Sequence, residues 1–147
     1  MTGSTLYFAY GRNMHPEIMG RRCPAAAFVE AATLPDHRLL INVRGVSTVV
    51  PEAGSAVHGV LWRLTPVCEA ALDEIEGVAR GSYRRDTVRP VMNFEVLEPA
   101  LIYIASNADP GLPREGYLES LEEAALHHGF PEAYRLFLAR LRNLASS

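Results

Sequence analysis

At 147 residues, 48% of them hydrophobic, the chain is long enough to bury a substantial core as one domain spanning 1–147, and no apolar run reaches membrane-spanning length. A formal net charge of −3 and a pI near 5.9 give no electrostatic footprint for nucleic acid or an anionic membrane surface. All 14 Lys and Arg positions are arginine, scattered rather than massed in one run, which reads as coding bias and not as a phosphate-reading device.

Met1-Thr2-Gly3-Ser4-Thr5 lacks the basic start and long apolar core of a signal peptide, and the two cysteines, Cys23 and Cys68, have no metal-like or redox-like spacing. Both features predict a reduced, cytoplasmic setting. Leu6-Tyr7-Phe8-Ala9-Tyr10 reads as a buried strand that breaks at Gly11-Arg12-Asn13 before a short helix from Pro16 to Arg22. Such a strand, tight turn and helix can aim several main-chain N–H groups at one anionic or carbonyl oxygen, and the glycine lets a ligand approach closely. The plainer alternative is an ordinary strand-to-loop turn.

Strands are predicted at Ala25–Leu34, Arg38–Val43, Ser47–Val50, Val57–Leu64, Tyr83–Val91 and Ala100–Ile104, punctuated by Pro35-Asp36, Gly45, Pro51 with Gly54, and Pro99. Segments this short and this numerous suggest a small barrel. Across Val57–Leu64 the two alternating sets leave the core-facing side open, and Gly59 marks a bend or a close backbone approach.

Thr65-Pro66 opens a helix with an N-cap candidate and a first-turn proline; Glu69 favours the positive helix end, Val67, Ala71 and Ile75 share one face, and Gly77 ends the helix. Glu76 therefore falls in the last turn, where the free carbonyls disfavour an ionised carboxylate and push its pKa upward. A carboxylate held in that way is suited to act as a base; the alternative is an ordinary solvated helix-end glutamate. Asp73, three residues earlier, can share its face and competes for the role.

After Pro113, Tyr117, Leu121, Ala124 and Ala125 recur at helical spacing; Gly129-Phe130-Pro131 then separates a second helix with Tyr134, Phe137, Leu138 and Leu141 on one face. These are packing stripes, except that Tyr117 opens its helix, where a phenol can turn into a cleft. Ser146-Ser147 reads as a frayed tail. His15, His37, His58, His127 and His128 form no metal-ligand pattern, and Cys23 reads as a small packing residue rather than a thiol nucleophile paired with His15.

Taken in order, Tyr7-Phe8-Ala9-Tyr10-Gly11-x-Asn13-Met14, Arg44-Gly45-Val46-Ser47-Thr48-Val49, Val57-x-Gly59-Val60-Leu61-Trp62 and Leu72-Asp73-x-x-Glu76-Gly77-Val78 resemble the γ-glutamylcyclotransferase family. Arg21-Arg22-Cys23-Pro24, Gly81-x-Tyr83 and Pro113-x-x-x-Tyr117 add to the match, whose specificity lies in the joint order of the pieces. The resemblance implies a mixed α/β (α+β) domain built on a small, closed, largely antiparallel β-barrel with surrounding helices and a ligand cavity at one end. It implies conversion of a γ-glutamyl amine or γ-glutamyl amino acid to 5-oxoproline and free amine, without cofactor or metal. Glu76 would serve as general base and acid. Tyr7, Phe8, Ala9, Tyr10, Gly11, Arg12, Asn13, Tyr83 and Tyr117 would contact the substrate. The expected partner is a small γ-glutamyl molecule, with no nucleic acid and no membrane; a homodimer is allowed.

The family usually has serine where this chain has Arg12, which is longer and permanently charged. Arg12 is expected either to reach over the cavity to a carboxylate of the substrate or a neighbouring loop, or to point to solvent. Two other functions share the same scaffold: an amide hydrolase or acyl or amine transferase in which Glu76 activates water or an external amine, and a ligand-binding module without catalysis.

Overall fold

A computed structural model describes residues 4–92, 95–96 and 98–145; the expectations for Met1–Gly3 and for the Ser146-Ser147 tail fall outside the described residues. In chain order the elements are β1 (Thr5–Ala9), a 3-10 turn (Arg12–Met14), α1 (Pro16–Arg22), β2 (Ala27–Ile41), β3 (Ser47–Leu64) and α2 (Pro66–Ile75). There follow β4 (Tyr83–Val88), β5 (Val91–Met92), β6 (Glu95–Val96), β7 (Ala100–Ala105), α3 (Tyr117–His127) and α4 (Glu132–Ala145). The fold is mixed α/β, with one sheet in the order β4-β7-β1-β3-β2-β5-β6.

The aromatic run forms β1, antiparallel to β3 from Thr5↔Leu64 to Ala9↔Val60 and parallel to β7 at Tyr7↔Leu101. Central strands are covered on both faces, which explains why Val57–Leu64 gave no alternation: Val57, Val60, Leu61, Trp62 and Leu64 are all buried. Gly59 is a close approach, since a Cβ there would lie 2.4 Å from the Ala9 carbonyl oxygen and 2.6 Å from Phe8 Cζ.

Strand pairing does not close the expected barrel. The sheet ends at β4 and β6, and the start of β3 meets the opposite end through a side chain instead of a ladder: Ala105 N–H donates to Thr48 Oγ1 at 3.0 Å. The predicted breaks at Pro35-Asp36 and Pro51/Gly54 do not end strands either. Pairing jumps from Pro35↔Ala56 to His37↔Pro51, so residues 52–55 stand opposite Asp36 in a bulge. Asp36 (φ 59°) accepts there from Gly54 N–H at 3.0 Å. Conversely, the single strand predicted over Tyr83–Val91 is two: β4 pairs with β7 and β5 pairs with β2 (Thr33↔Val91), with Arg89-Pro90 carrying the chain from one side of the sheet to the other.

Thr65 caps α2 by accepting from Cys68 N–H at 3.2 Å. The helix buries Cys68 and Leu72, not the Val67, Ala71 and Ile75 face; Val67 is 80% exposed. Helices α3 and α4 add Leu118, Leu121, Ala124, Ala125 and Leu138 to a core that also holds Phe8, Leu61, Leu72 and Ile102.

Candidate active site

Glu76 is the C-terminal cap of α2, and Gly77 follows in the left-handed conformation (φ 69°) that an L side chain rarely adopts. That turn places Glu76 beside the 3-10 turn after β1. The buried Asn13 joins the pieces. Its Nδ2 donates to Tyr7 Oη at 3.0 Å and, in a longer contact, to Glu76 Oε1 at 3.4 Å. Its Oδ1 accepts from Arg22 Nη1 at 2.9 Å, and its main-chain oxygen accepts from Trp62 Nε1 at 3.0 Å. Burial holds the Glu76 carboxyl above the usual glutamate range, while the charge of Arg22 and the bond from Asn13 pull it partway back. The upward direction matches the helix-end expectation; the cause is desolvation.

Ser47, at the start of β3, organises the opposite wall. The Tyr117 hydroxyl shares a 2.7 Å hydrogen bond with Ser47 Oγ and accepts from Ser47 N–H at 3.1 Å, and Tyr83 Oη donates to the Ser47 carbonyl at 2.8 Å. Tyr10 Oη donates to the Tyr103 carbonyl. Burial raises Tyr7, Tyr10, Tyr83 and Tyr117 above the ordinary phenol range, so these groups are neutral hydrogen-bonding hydroxyls near pH 7.

Between the two walls lies a cavity of about 270 Å³. Tyr7, Tyr10, Gly11, Arg12, Asn13, Glu76, Tyr83 and Tyr117 all line it. Phe8 and Ala9 do not: both are buried, with Phe8 and the Ala9 carbonyl against Gly59. A Cβ on Gly11 would lie 2.8 Å from Ser47 Oγ and 3.1 Å from Tyr117 Oη, so this position is glycine because the walls meet there.

The profile of the AIG2-like family matches residues 56–138, more than half of the chain. The chain belongs to the AIG2-like family. Among its relatives is the human γ-glutamylcyclotransferase, 30% identical over 142 residues, covering 90% of this chain and 76% of the human one. The mouse γ-glutamylcyclotransferase is 29% identical over 140 residues, covering 88% and 74%. A solved γ-glutamyl cyclotransferase structure superposes with a TM-score of 0.86 at 29% identity, covering 92% of this chain and 86% of the other. The resemblance carried by the ordered motifs is thereby borne out.

Within this AIG2-like chain, the residues matched by the family profile include Glu76, Tyr83 and Tyr117. Asp73, the competing carboxylate, is engaged elsewhere: both its oxygens accept from Arg85 Nη1, at 3.0 and 2.9 Å, and Oδ1 also accepts from Tyr103 Oη at 2.6 Å. Burial pushes the Cys23 thiol up to about 11, so it stays protonated and serves packing. Arg12 Nε donates to Ser120 Oγ at 3.2 Å, and its guanidinium carbon lies 5.4 Å from the Tyr117 ring centroid. No ion pair to a neighbouring loop forms at Arg12 among the described residues.

Sequence reasoning missed Ser47 and four further arginines of the lining, Arg22, Arg44, Arg80 and Arg114. Ser47, Arg22 and Arg44 stood inside recognised motifs, yet spacing does not say which side chain faces a cavity. Among the described residues, no group of three or more His, Cys, Asp or Glu is placed to hold a metal ion, and no helix is long and apolar enough to cross a membrane.

Proposed function

We propose that this chain is a γ-glutamyl cyclotransferase, releasing 5-oxoproline and a free amine from a γ-glutamyl amine or γ-glutamyl amino acid, with Glu76 as the proton-transfer group. The observation that carries this reading is one half-buried carboxylate of raised pKa on the wall of a cavity whose other predicted contacts are neutral hydroxyls and a glycine-bearing turn. The α-nitrogen and the γ-carbonyl that react belong to one molecule, so the first requirement is orientation, worth several kcal/mol of barrier (about 7–11 at best) when the bound conformer is ready for attack. The reaction needs no redox step and no external nucleophile.

Ionised Glu76 takes a proton from the substrate α-ammonium. The freed amine attacks the γ-carbonyl carbon, closing a five-membered lactam, and negative charge develops on the carbonyl oxygen. Main-chain N–H groups at the start of the 3-10 turn, Gly11 to Asn13, are the fixed donors suited to it, because the first N–H groups of a helical turn have no partner inside it. The bond to the departing nitrogen then breaks and Glu76 returns its proton to that nitrogen; the second proton shed by the attacking nitrogen as it becomes a lactam N–H also passes to the released amine, which leaves as an ammonium. One group thus serves as base and then acid, a task for which a carboxyl raised toward neutrality is better matched than an ordinary glutamate.

Incubation with a panel of γ-glutamyl compounds and mass analysis of the products tests the reading. Release of 5-oxoproline is expected. Release of glutamate instead would assign Glu76 to water activation, and binding without turnover across the panel would make the protein a ligand-binding module. The two buried free cysteines fit a reducing, cytoplasmic setting.

A further inference from the structure

Five of the 14 arginines gather at one cavity. Arg12, Arg22, Arg44, Arg80 and Arg114 line it, and none lies within ion-pair distance of a carboxylate among the described residues. Arg21, Arg89, Arg135 and Arg140, outside it, also make no ion pair among the described residues, so what marks this set is its concentration in one place. The arginines that do pair with carboxylates, Arg38, Arg63, Arg84, Arg85 and Arg142, are all absent from the lining. Against five guanidinium groups the lining offers only Glu76 and Glu115, an excess of three positive charges in a chain whose net charge is −3. Like charges gathered in one place with too few counterions repel one another, so the arrangement is complementary to a ligand that brings several negative charges with it.

Position divides the set. Arg12 and Arg22 are half-buried; Arg22 is bonded to Asn13 beside Glu76, and Arg12 lies over Tyr117. These two stand where a glutamyl unit would react, and its single α-carboxylate meets that need. Arg44, Arg80 and Arg114 are exposed, and Arg114 Nε donates to the Arg44 carbonyl at 2.9 Å, which joins the loop before β3 to the segment before α3. The glutamyl unit has no second carboxylate for these three.

We propose, resting on the cyclotransferase reading, that the leaving amine carries at least two carboxylates, as an acidic amino acid does, and that Arg44, Arg80 and Arg114 select it. Guanidinium groups bind carboxylates through paired, charge-assisted hydrogen bonds, which gives selectivity for charge and not only for size. The rim is solvent-exposed, so the selection weakens as salt rises.

The test compares kcat/KM for 5-oxoproline release from γ-glutamylglutamate and γ-glutamylglutamine, which match in shape and differ by one charge. A preference of about tenfold for γ-glutamylglutamate is expected, shrinking as sodium chloride is raised, and falling toward equality in an Arg44→Gln/Arg114→Gln variant. Arg80→Gln, which removes no side-chain hydrogen bond among the described residues, provides a second variant with the same expected direction. Equal or better turnover of γ-glutamylglutamine overturns the proposal and leaves the cyclotransferase reading standing. A preference unchanged in both variants overturns the assignment to these arginines. Failure of both peptides, and of γ-glutamylalanine, to yield 5-oxoproline overturns both readings together.

Discussion

Asn13 Nδ2 stands 3.4 Å from Glu76 Oε1, across 63 residues of sequence, while the same amide nitrogen donates to Tyr7 Oη. The carboxylate at the end of α2 is therefore oriented by the turn after β1, and the helix alone does not fix it. Loss of Glu76 and loss of what orients it should be separable in experiment.

Glu76→Gln keeps the shape and removes the proton-transfer group. Release of 5-oxoproline should fall about 100- to 10,000-fold, the range typical of a missing acid–base residue, while the far-UV circular dichroism spectrum is retained. Its stability effect has a definite sign. Because the folded-state pKa of Glu76 is raised, the associated stabilisation is fully present below the unfolded-state pKa and is lost as pH rises through the folded-state pKa. Glutamine never ionises, so the variant should melt no lower than wild type at pH 7, and its relative advantage should shrink on acidification.

Activity should also report the ionisation of Glu76. The acid limb of kcat/KM is expected above about pH 4.3, the ordinary glutamate value. Arg22 and Asn13 both hold the carboxyl down against burial, with Arg22 having the greater effect. Arg22→Met and Asn13→Ala should each move the acid limb to higher pH, the former further, as read from a kcat/KM profile between pH 4 and 9. Asn13→Ala should in addition cost about 1–3 kcal/mol of stability in urea denaturation, because it strands the buried partners of that amide.

Two glycines should fail in different ways. A Cβ at position 59 would sit 2.4 Å from a main-chain oxygen, which cannot step aside, so Gly59→Ala should lower stability by about 1–3 kcal/mol or more, seen as a lower melting temperature. At position 11 the obstacles are the Ser47 and Tyr117 hydroxyls at the cavity wall. Gly11→Ala should therefore reduce kcat/KM by at least about tenfold with a smaller loss of stability.

Asp73→Asn tests the competing carboxylate. Its salt bridge with Arg85 is partly exposed and its bond from Tyr103 is the more sheltered contact, so a stability loss of about 1 kcal/mol is expected. Activity should stay within a few-fold of wild type, measured as 5-oxoproline release. A loss comparable to that of Glu76→Gln would transfer the proton-transfer role to Asp73.

Much of the site was legible because its parts lie within short motifs: Gly11 and Asn13 in one turn, Glu76 and Gly77 in one helix end, Tyr117 at a helix start. What the motifs could not separate was neighbours on one strand, so Phe8 and Ala9 were grouped with Tyr7 although they are core residues. The arginine set was hidden for another reason. Its members come from five separate places in the chain, and only tertiary folding brings them to one cavity. The predicted strands cover most of the sheet but not the two-residue β6, and Pro35, Pro51 and Gly54 predict strand ends where a bulge absorbs them, because local breaking signals carry no information about a partner strand long enough to span the irregularity. Barrel closure failed on the same ground, as it depends on which edges meet.

Ser47 takes hydroxyl contacts from Tyr83 and Tyr117, 36 and 70 residues further along the chain. A wall pinned from such distant points is held by no single element on its own and needs β3, β4 and α3 together. Heat should therefore extinguish turnover in step with cooperative loss of the whole domain, with no partly opened form that remains active on looser substrates.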